Sequence, residues 1–491
     1  MKKTVYLAVL LLVGIAAGAQ NKPQNADSLR AYSPAKLNPM PLHRDYTDEQ
    51  RPETNPIILE RLEEWKDLKF GFMVHWGIYS QWGVVESWSI CSEPWITRNG
   101  ADYMNYVQSY RRLNYSFKPT KFDPQRWAKI AGDAGMKYVV FTAKHHDGFC
   151  MFDSKYSDYT VSNKSCPYSK RKNSDITRQV VETFRAKGFW TGLYFSKPDW
   201  SCRDYWAPEW ATPDRNVNYD PAADPERWQR YCDFTYNQVY ELTHNYGPID
   251  ILWLDGGWVR PEWSLNAESR EWLGCHGYVQ DVNVPRIAKM ARENTPDLLI
   301  VDRSVGGKYE NYATPEQQVP ATYLPYPWET CMSLGDSWSY SPNDTYKSPN
   351  TVIHTLCDVV AKGGNLLLNV GPDGQGVLPE GAVATLKEVG RWMKTNGKAV
   401  YATRPCAPYV RGKWRFTQSK DGQTVYAAYL LDEGETMPEV VDMPMVDRNP
   451  TAVKLLDKGT AKIRIEGDKV QLYSHPKEDS RHAVVFEITF E

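Results

Sequence analysis

The chain has 491 residues, a length that suits two or three domains better than one compact core. Its formal net charge is −2 and no run of lysine and arginine marks a basic surface, so we do not expect nucleic acid as a partner. The 19 tryptophans and 31 tyrosines combine flat apolar faces with polar tips, which suits them to the binding of sugar rings as well as to core packing.

Residues 1–19 have the pattern of a signal peptide. Lys2 and Lys3 precede an apolar core, and small residues at 17–19 form a cleavage site. The apolar run is too short to span a membrane. We therefore expect an exported protein, periplasmic or extracellular, without stable membrane insertion after cleavage. Residues 20–57 are polar and rich in proline, and are predicted to form an N-terminal leader.

Short apolar runs alternate with helical patterns between residues 58 and 402. Runs that are apolar at nearly every position are typical of strands buried on both faces of a parallel sheet. Asp123-Pro124 and Asp224-Pro225 each combine an N-cap residue with proline at the first helical position. The alternation favours an α/β fold, a closed (β/α)8 barrel of the TIM type. The predicted strands are 70–76, 138–144, 189–195, 249–254, 298–301 and 365–370, and the predicted helices are 58–67, 123–135, 174–187, 224–246, 284–293 and 352–362.

The pattern changes after a helix predicted over 382–395. Short alternating strands follow, separated by turn pairs such as Asp421-Gly422 and Gly467-Asp468. We therefore predict a C-terminal antiparallel β-sandwich at 403–491, after a barrel at 58–402. Its predicted strands are 414–416, 424–431, 452–456, 461–466, 469–475 and 483–490.

Polar and aromatic residues follow several predicted strands at the same end. In a barrel of this type, catalytic side chains gather at the C-terminal ends of the strands. One such residue after a strand means little, but its recurrence after four or five strands indicates an active site. The residues in question are His75, Trp76, Lys144, His145, His146, Asp147, Tyr194, Ser196, Trp253, Asp255, Asp302 and Arg303.

Four ordered blocks of the sequence resemble motifs of the α-L-fucosidase family of glycoside hydrolases, family 29. The most specific block is Thr-Ala-Lys-His-His-Asp-Gly-Phe at 142–149. The others are Phe-Gly-Phe-Met-Val-His-Trp-Gly at 70–77, Trp-Leu-Asp-Gly at 253–256, and Gly-Gly-Asn-Leu-Leu-Leu-Asn-Val-Gly-Pro at 363–372. The resemblance extends over most of the chain, from about residue 62 to residue 407.

The resemblance implies a retaining, exo-acting α-L-fucosidase that releases terminal L-fucose from a fucosylated oligosaccharide or glycoconjugate. It implies that Asp255 attacks the anomeric carbon, while a second carboxyl group acts as acid and then as base. The two carboxyl groups are then expected to lie about 5–5.5 Å apart. Glu316 is the preferred acid/base, Glu329 is its rival, and Glu310 is a third candidate.

The resemblance also implies a sugar pocket without metal or other cofactor. It implies that His75, His145 and His146 form hydrogen bonds with the sugar hydroxyl groups. Trp253 would supply an apolar wall, which suits the methyl group of fucose, and Tyr194 and Arg303 would line the pocket. One block departs from the family pattern, which has an adjacent Glu-Trp pair touching the sugar. This chain has Glu86-Ser87-Trp88, with Glu93 and Trp95 close behind, and either glutamate could serve. Long loops at 201–223 and 258–282 are expected at the barrel mouth, where such loops set linkage specificity.

Three alternatives are kept. A hydrolase of the same fold acting on another, fucose-like sugar is suggested by the altered Glu-Trp block. A catalytically silent glycan-binding protein belongs to a different class, against which Asp255 and the candidate acids argue. A metal hydrolase built on His145 and His146 is the weakest, because adjacent histidines lack the i, i+4 spacing of helical zinc sites and no Cys-x-x-Cys pair occurs.

Overall fold

The computed structural model describes residues 52–96, 98, 102–267, 270, 278–444, 448–466, 469–477 and 481–490. The predicted signal peptide, the leader up to residue 51 and the predicted turn at 467–468 lie outside these residues. In the described part of the chain, no helix has the length and apolar character needed to cross a membrane.

Seven parallel strands form the central sheet, in the order β5-β4-β3-β2-β1-β7-β6. All positions of β1, β2 and β7 are buried, because helices cover the outer face of the sheet and the barrel interior fills the inner face. The predicted TIM-like barrel is thereby confirmed. The strands are β1 Phe70–Val74, β2 Tyr138–Lys144, β3 Trp190–Ser196, β4 Ile251–Asp255, β5 Leu299–Asp302, β6 Glu329–Ser333 and β7 Asn365–Asn369.

An irregular segment, 309–317, stands where a regular barrel has its eighth strand. On one side, the Asp302 amide donates to the Tyr309 carbonyl at 2.8 Å. On the other side, the Glu329 amide donates to the Ala313 carbonyl at 2.8 Å, and the Gln317 amide donates to the Cys331 carbonyl at 2.9 Å. The segment therefore bridges β5 and β6 through isolated contacts instead of a continuous ladder.

Sequence patterning does not predict β6. Its sequence, Glu-Thr-Cys-Met-Ser, contains no apolar run, yet all five positions are buried. Its polar groups are satisfied inside the barrel, as when Thr330 Oγ1 donates to the Pro315 carbonyl at 3.1 Å. Glu329 thus lies at the start of a strand.

Two of the helices around the sheet begin at the predicted Asp-Pro signals. The Asp123 carboxylate accepts from the amides of Gln125 and Arg126, and the Asp224 carboxylate accepts from the amide of Arg227, each with proline at the start of the helix. The helices are α1 Pro56–Leu68, α2 Tyr103–Arg111, α3 Pro124–Asp133, α4 Ile176–Ala186, α5 Pro225–His244, α6 Val284–Asn294, α7 Pro349–Ala361 and α8 Glu380–Asn396.

Two antiparallel sheets follow the barrel and pack face to face, which confirms the predicted sandwich. One has five strands in the order β12-β15-β10-β9-β8, and the other has three in the order β11-β14-β13. Trp414, Phe416 and Phe486 of the first sheet share a core with Val441 and Leu472 of the second. The strands are β8 Arg404–Arg411, β9 Trp414–Gln418, β10 Thr424–Leu430, β11 Val440–Met443, β12 Pro450–Leu455, β13 Thr460–Glu466, β14 Lys469–His475 and β15 Ala483–Phe490.

A buried ionic cluster joins the barrel to the sandwich. Asp358 of α7 accepts from Lys362 Nζ at 2.6 Å and from Arg415 Nε of β9 at 2.5 Å. The three side chains are at most 5% exposed. Nearby, Trp392 Nε1 of α8 donates to the Ala483 carbonyl at 3.0 Å. These contacts favour a role of the sandwich as a brace for the barrel.

We expect Asp358→Ala to lower the free energy of unfolding by about 3–5 kcal/mol, because it leaves two buried cations without their carboxylate. The matched control is Asp133→Ala, whose carboxylate pairs with Lys129 at the surface with 63% and 70% of the side chains exposed. That change should cost less than about 1 kcal/mol. Urea unfolding followed by tryptophan fluorescence measures both, and equal losses would contradict the assignment.

Candidate active site

A cavity of about 430 Å³ opens at the C-terminal ends of the barrel strands. This is the end at which barrels of this type carry their active sites. The structure brings together here most of the site residues that the sequence indicates, although they come from seven separate stretches of the chain. The strand-end residues that do not line the cavity are Trp76, Lys144, Asp147, Ser196 and Asp302. The predicted residues that line the cavity are His75, Glu86, Trp88, His145, His146, Tyr194, Trp253, Asp255, Arg303 and Glu316.

Asp255 ends β4 and holds its carboxylate against a cation and a hydroxyl group. Arg303 Nη1 donates to Oδ1 at 3.0 Å, and the Tyr194 hydroxyl donates to Oδ2 at 2.7 Å. His146 Nε2 lies 3.7 Å from Oδ2. Burial alone would raise the pKa of Asp255, but the charge of Arg303 and the hydrogen bonds from the Tyr194 hydroxyl group and the Gly256 amide outweigh it and hold the pKa well below its ordinary value. The carboxylate is therefore ionised.

Glu316 shares the guanidinium of Arg303 with Asp255. Arg303 Nη2 donates to Glu316 Oε2, while Nη1 of the same group donates to Asp255. Trp338 Nε1 donates to the other oxygen of Glu316 at 3.2 Å. The Glu316 side chain is 43% exposed, so it faces the open side of the cavity. One carboxylate is thus enclosed at a strand end and the other stands at the entrance.

Glu329 lies below the cavity, in the barrel interior, and does not line it. Its side chain is fully buried, and it accepts from the Tyr138 hydroxyl at 2.6 Å and from Trp253 Nε1 at 3.4 Å. Burial raises the pKa of Glu329 to about 8, so the group carries a proton at neutral pH. Trp338, which the sequence places near Glu329, donates to Glu316 instead.

Glu310 stabilises the backbone of a loop. Its two carboxylate oxygens accept from the amides of Ser304 at 2.9 Å and Gly306 at 2.8 Å. Burial raises the pKa of Glu310 to about 7. It is absent from the lining of the cavity, so its position favours a structural role.

Three histidines form one wall of the cavity. His75 Nδ1 lies 2.8 Å from Asn369 Oδ1, and His145 Nδ1 lies 2.6 Å from Ser87 Oγ. Burial lowers the pKa of His75 and of His146 to about 4, and it lowers the pKa of His145 well below its ordinary value. All three imidazoles are therefore neutral near pH 7 and can donate or accept one hydrogen bond without adding charge.

The block that departs from the family pattern still delivers both residues to the cavity. Glu86 and Trp88 line it, although Ser87 separates them. Glu86 adopts a φ of 29°, and its carboxyl group accepts from the Ser339 amide at 2.6 Å. Burial raises the pKa of Glu86 to about 7. Glu93, the other candidate, does not line the cavity, but it pairs with Arg215, which does.

The two long loops supply cavity residues that sequence reasoning missed. Arg215 pairs with Glu93 through Nε at 2.5 Å and Nη2 at 2.9 Å. Its guanidinium lies over the rings of Trp88 at 4.7 Å and Trp258 at 5.2 Å. The loop sequences have no hydrophobic periodicity that would single out lining residues. The one available signal was their predicted position at the barrel mouth. The missed lining residues include Arg215 and Trp258 from these loops and Trp338 from the segment after β6.

Some polar residues at the strand ends hold the strands instead of facing the cavity. Lys144 donates to Asp199 at 3.0 Å, and Lys197 donates to Asp302 at 2.5 Å, all of them buried. These pairs join the ends of β2 and β5 to the loop after β3. In the described residues, no group of three or more His, Cys, Asp or Glu side chains is arranged to hold a metal ion.

The comparison with known families agrees with this geometry. Residues 42–398 match the family model described as Alpha-L-fucosidase. The chain belongs to the α-L-fucosidase family. It is therefore a glycoside hydrolase, and fucosylated glycans are the class of substrate that the family implies. The structure also agrees with the predicted fold, because solved members of the family superpose on most of it.

Three relatives illustrate the likeness. Alpha-L-fucosidase isoenzyme 1 from Paenibacillus thiaminolyticus is 31% identical with a TM-score of 0.71, over 89% of this chain and 100% of that chain. A GH29 α-L-fucosidase from Bacteroides thetaiotaomicron, solved as a trapped covalent intermediate with 2-fluoro-fucosyl fluoride, is 26% identical with a TM-score of 0.68, over 92% and 99%. Tissue α-L-fucosidase of Rattus norvegicus is 29% identical over 382 residues, 74% of this chain and 73% of the relative.

The buried Glu329 makes a testable contribution to the pH dependence of stability. Its pKa of about 8 in the folded enzyme exceeds the ordinary value of 4.5, so the folded state binds a proton that the unfolded state releases between these values. The resulting stabilisation is complete below about pH 4.5 and is lost as the pH rises towards 8. We expect Glu329→Gln, which mimics the protonated group, to be less sensitive to pH than the wild type.

Urea midpoints at pH 5, 6.5 and 8 measure this difference. The wild type should lose more stability across the series than the variant, while the variant keeps its fucosidase activity. If the stability of the variant depended on pH as strongly as that of the wild type, the proton bound by Glu329 would not be the cause of the pH dependence. A loss of activity without a loss of stability would favour Glu329 as the acid/base.

Proposed function

We propose that this enzyme is a retaining, exo-acting α-L-fucosidase, which releases terminal L-fucose through a covalent glycosyl-aspartate at Asp255. The observation that carries the proposal is the sharing of one guanidinium, that of Arg303, by Asp255 and Glu316. Retaining glycosidases keep their two carboxyl groups about 5–5.5 Å apart, whereas inverting enzymes leave about 6.5–9.5 Å for a water molecule. Two carboxylates held by one small cation favour the shorter separation.

Asp255 is suited to nucleophilic attack because it is ionised and fixed in orientation. Arg303 and Tyr194 hold one carboxylate oxygen each. In the first step, an oxygen of Asp255 bonds to C1 of the fucosyl unit while the bond between C1 and the glycosidic oxygen breaks. Glu316 gives its proton to that departing oxygen.

The second step runs through the same groups in reverse. Glu316, now ionised, takes a proton from a water molecule whose oxygen attacks C1, and the bond from C1 to Asp255 breaks. Glu316 is suited to this exchange because its side chain stands at the open entrance, where both the leaving group and water arrive. Glu329 has no such access, since it lies in the barrel core.

The shape of the cavity supports attack on a chain end. Beneath it, Tyr138, Trp253 and Glu329 fill the barrel interior, so a glycan cannot pass through. Trp253 and Met73 offer apolar surface, which suits the C5 methyl group of L-fucose, and the neutral histidines suit its hydroxyl groups. An enclosed pocket of this kind accepts one terminal sugar.

The alternatives are less well supported. A preference for another sugar rests on the inserted Ser87, but Glu86 and Trp88 reach the cavity in spite of it. A catalytically silent glycan-binding protein would not need two carboxyl groups, those of Asp255 and Glu316, bound to the same arginine, Arg303. The covalent intermediate of the Bacteroides relative concerns that protein, and it supports the same chemistry here. Export through the signal peptide and a catalytic barrel bounded at 58–402 are likewise proposals.

We expect 2-fluoro-fucosyl fluoride to label Asp255. The fluorine slows both steps, while the good leaving group lets the first step proceed, so the glycosyl-enzyme accumulates. Mass spectrometry of the intact protein and of its peptides should find one fluorofucosyl group, carried by Asp255. The isosteric variant Asp255→Asn should carry none, and an adduct on another residue of the active wild type would refute the assignment.

We expect Glu316→Ala to lower kcat/KM by about 10²–10⁴-fold on substrates whose leaving group needs a proton. Azide should restore turnover on an activated aryl fucoside, because the small anion fits the space left by the carboxylate and needs no base. The product should be a fucosyl azide with the anomeric configuration of the substrate. Glu329→Ala is the matched control, and azide rescue of that variant instead would identify the rival as the acid/base.

A further inference from the structure

Two histidines of the cavity wall are held through the same ring atom by chemically different partners. His75 Nδ1 faces the amide oxygen of Asn369, whereas His145 Nδ1 faces the hydroxyl group of Ser87. The Nε2 atoms of both rings have no hydrogen-bond partner in the described residues, and both histidines line the cavity. Since each neutral ring carries one hydrogen, the partner at Nδ1 decides what Nε2 offers to a sugar.

Asn369 fixes His75 as an acceptor. The Asn369 amide nitrogen donates to the Trp338 carbonyl at 2.6 Å, which sets the orientation of the amide group. Its oxygen then accepts from the His75 backbone amide at 3.0 Å and lies 2.8 Å from His75 Nδ1. Because a carbonyl oxygen only accepts, the ring hydrogen sits on Nδ1, and Nε2 presents a lone pair to the cavity.

Ser87 fixes His145 as a donor. Ser87 Oγ accepts from the Asp147 amide at 2.9 Å, and the residue is fully buried. Its hydroxyl hydrogen therefore needs an acceptor within the protein. Within the described residues, the acceptor in hydrogen-bond reach is His145 Nδ1, at 2.6 Å. With a lone pair at Nδ1, the ring hydrogen of His145 sits on Nε2.

We propose that Asn369 and Ser87 are positioning residues that hold His75 and His145 in opposite tautomers. The cavity then offers a lone pair and an N–H group from rings whose centroids are 5.6 Å apart. Two hydroxyl groups of one fucosyl unit match this pair, one donating to His75 and the other accepting from His145. The assignment of the ligand rests on the proposed function, whereas the tautomers follow from the protein contacts alone.

In this arrangement the inserted Ser87 orients the ring of His145. Ser87 separates the glutamate and tryptophan that are adjacent in the family pattern, and it supplies the partner of His145. Glu86, just before it, adopts the left-handed φ of 29°, which side chains rarely adopt. That strained turn delivers the Ser87 hydroxyl group to the interior while Glu86 and Trp88 remain at the cavity.

Nitrogen NMR of the full-length enzyme with ¹⁵N-labelled histidine tests the tautomers directly. Two-bond ¹H–¹⁵N correlations distinguish protonated from bare ring nitrogens, and His75→Gln and His145→Gln serve only to assign the signals. At pH 7 we expect His75 to be protonated at Nδ1 and His145 at Nε2. The same tautomer in both rings, or the reverse pair, would overturn the proposal. Because no turnover is needed, this result is independent of the trapping experiment on Asp255.

Inhibition constants of L-fucose analogues test the consequence for binding. A C–F group accepts a hydrogen bond weakly but cannot donate. At the hydroxyl position that faces His145, we expect the fluoro analogue to bind better than the deoxy analogue. At the position that faces His75, the fluoro analogue should have no such advantage.

Variants of Ser87 complete the test. Ser87→Ala should weaken L-fucose about tenfold, the size of one ordinary hydrogen bond, and remove the fluorine advantage, whereas Ser87→Thr should restore both. The matched control is Ser89→Ala, because Ser87 and Ser89 share the short 3₁₀ helix Ser87–Ile90. The Ser89 hydroxyl group donates to the Glu86 carbonyl at 3.3 Å, so this change should leave the inhibition constants unchanged. If Ser87→Ala weakened every analogue equally, its role would be general support of the fold and the proposal would fail.

Discussion

The guanidinium of Arg303, shared by Asp255 and Glu316, is the interaction on which the active site depends. It keeps Asp255 ionised although the carboxylate is enclosed, and it draws a residue of the irregular segment 309–317 towards the end of β4. The two carboxylates belong to different parts of the barrel, so their approach requires that this segment close the gap between β5 and β6. A regular eighth strand would impose its alternation on every side chain there.

The surroundings of this cluster are polar but carry little further charge. Burial keeps His75, His145 and His146 neutral, so they do not compete with Arg303 for the carboxylates. Glu329, below them, is held as a protonated acid by burial. The cavity thus separates the roles of its groups, with the ionised Asp255 beside Arg303 and neutral donors and acceptors on the histidine wall.

The sequence predicted the barrel because buried parallel strands have apolar residues at nearly every position. It predicted most of the cavity wall because the C-terminal ends of these strands lie at the same end of the barrel. It favoured Glu316 as the acid/base but could not exclude Glu329 from that role. Spacing along the chain does not show that β6 begins at Glu329 or that the segment before it is irregular. Arg215 and Trp258 were missed because loops have no periodic pattern. The function of Ser87 depends on a contact with His145, 58 residues away, which local sequence does not encode.

The anomeric configuration of the first fucose released tests the central claim, a bond between Asp255 and C1, most directly. Proton NMR of a fast reaction at high enzyme concentration resolves the two anomers before they equilibrate. Two displacements at C1 restore the starting configuration, so the α anomer should appear first and the β anomer should grow in later at the rate of mutarotation. Initial release of the β anomer would show a single displacement by water and would contradict the account.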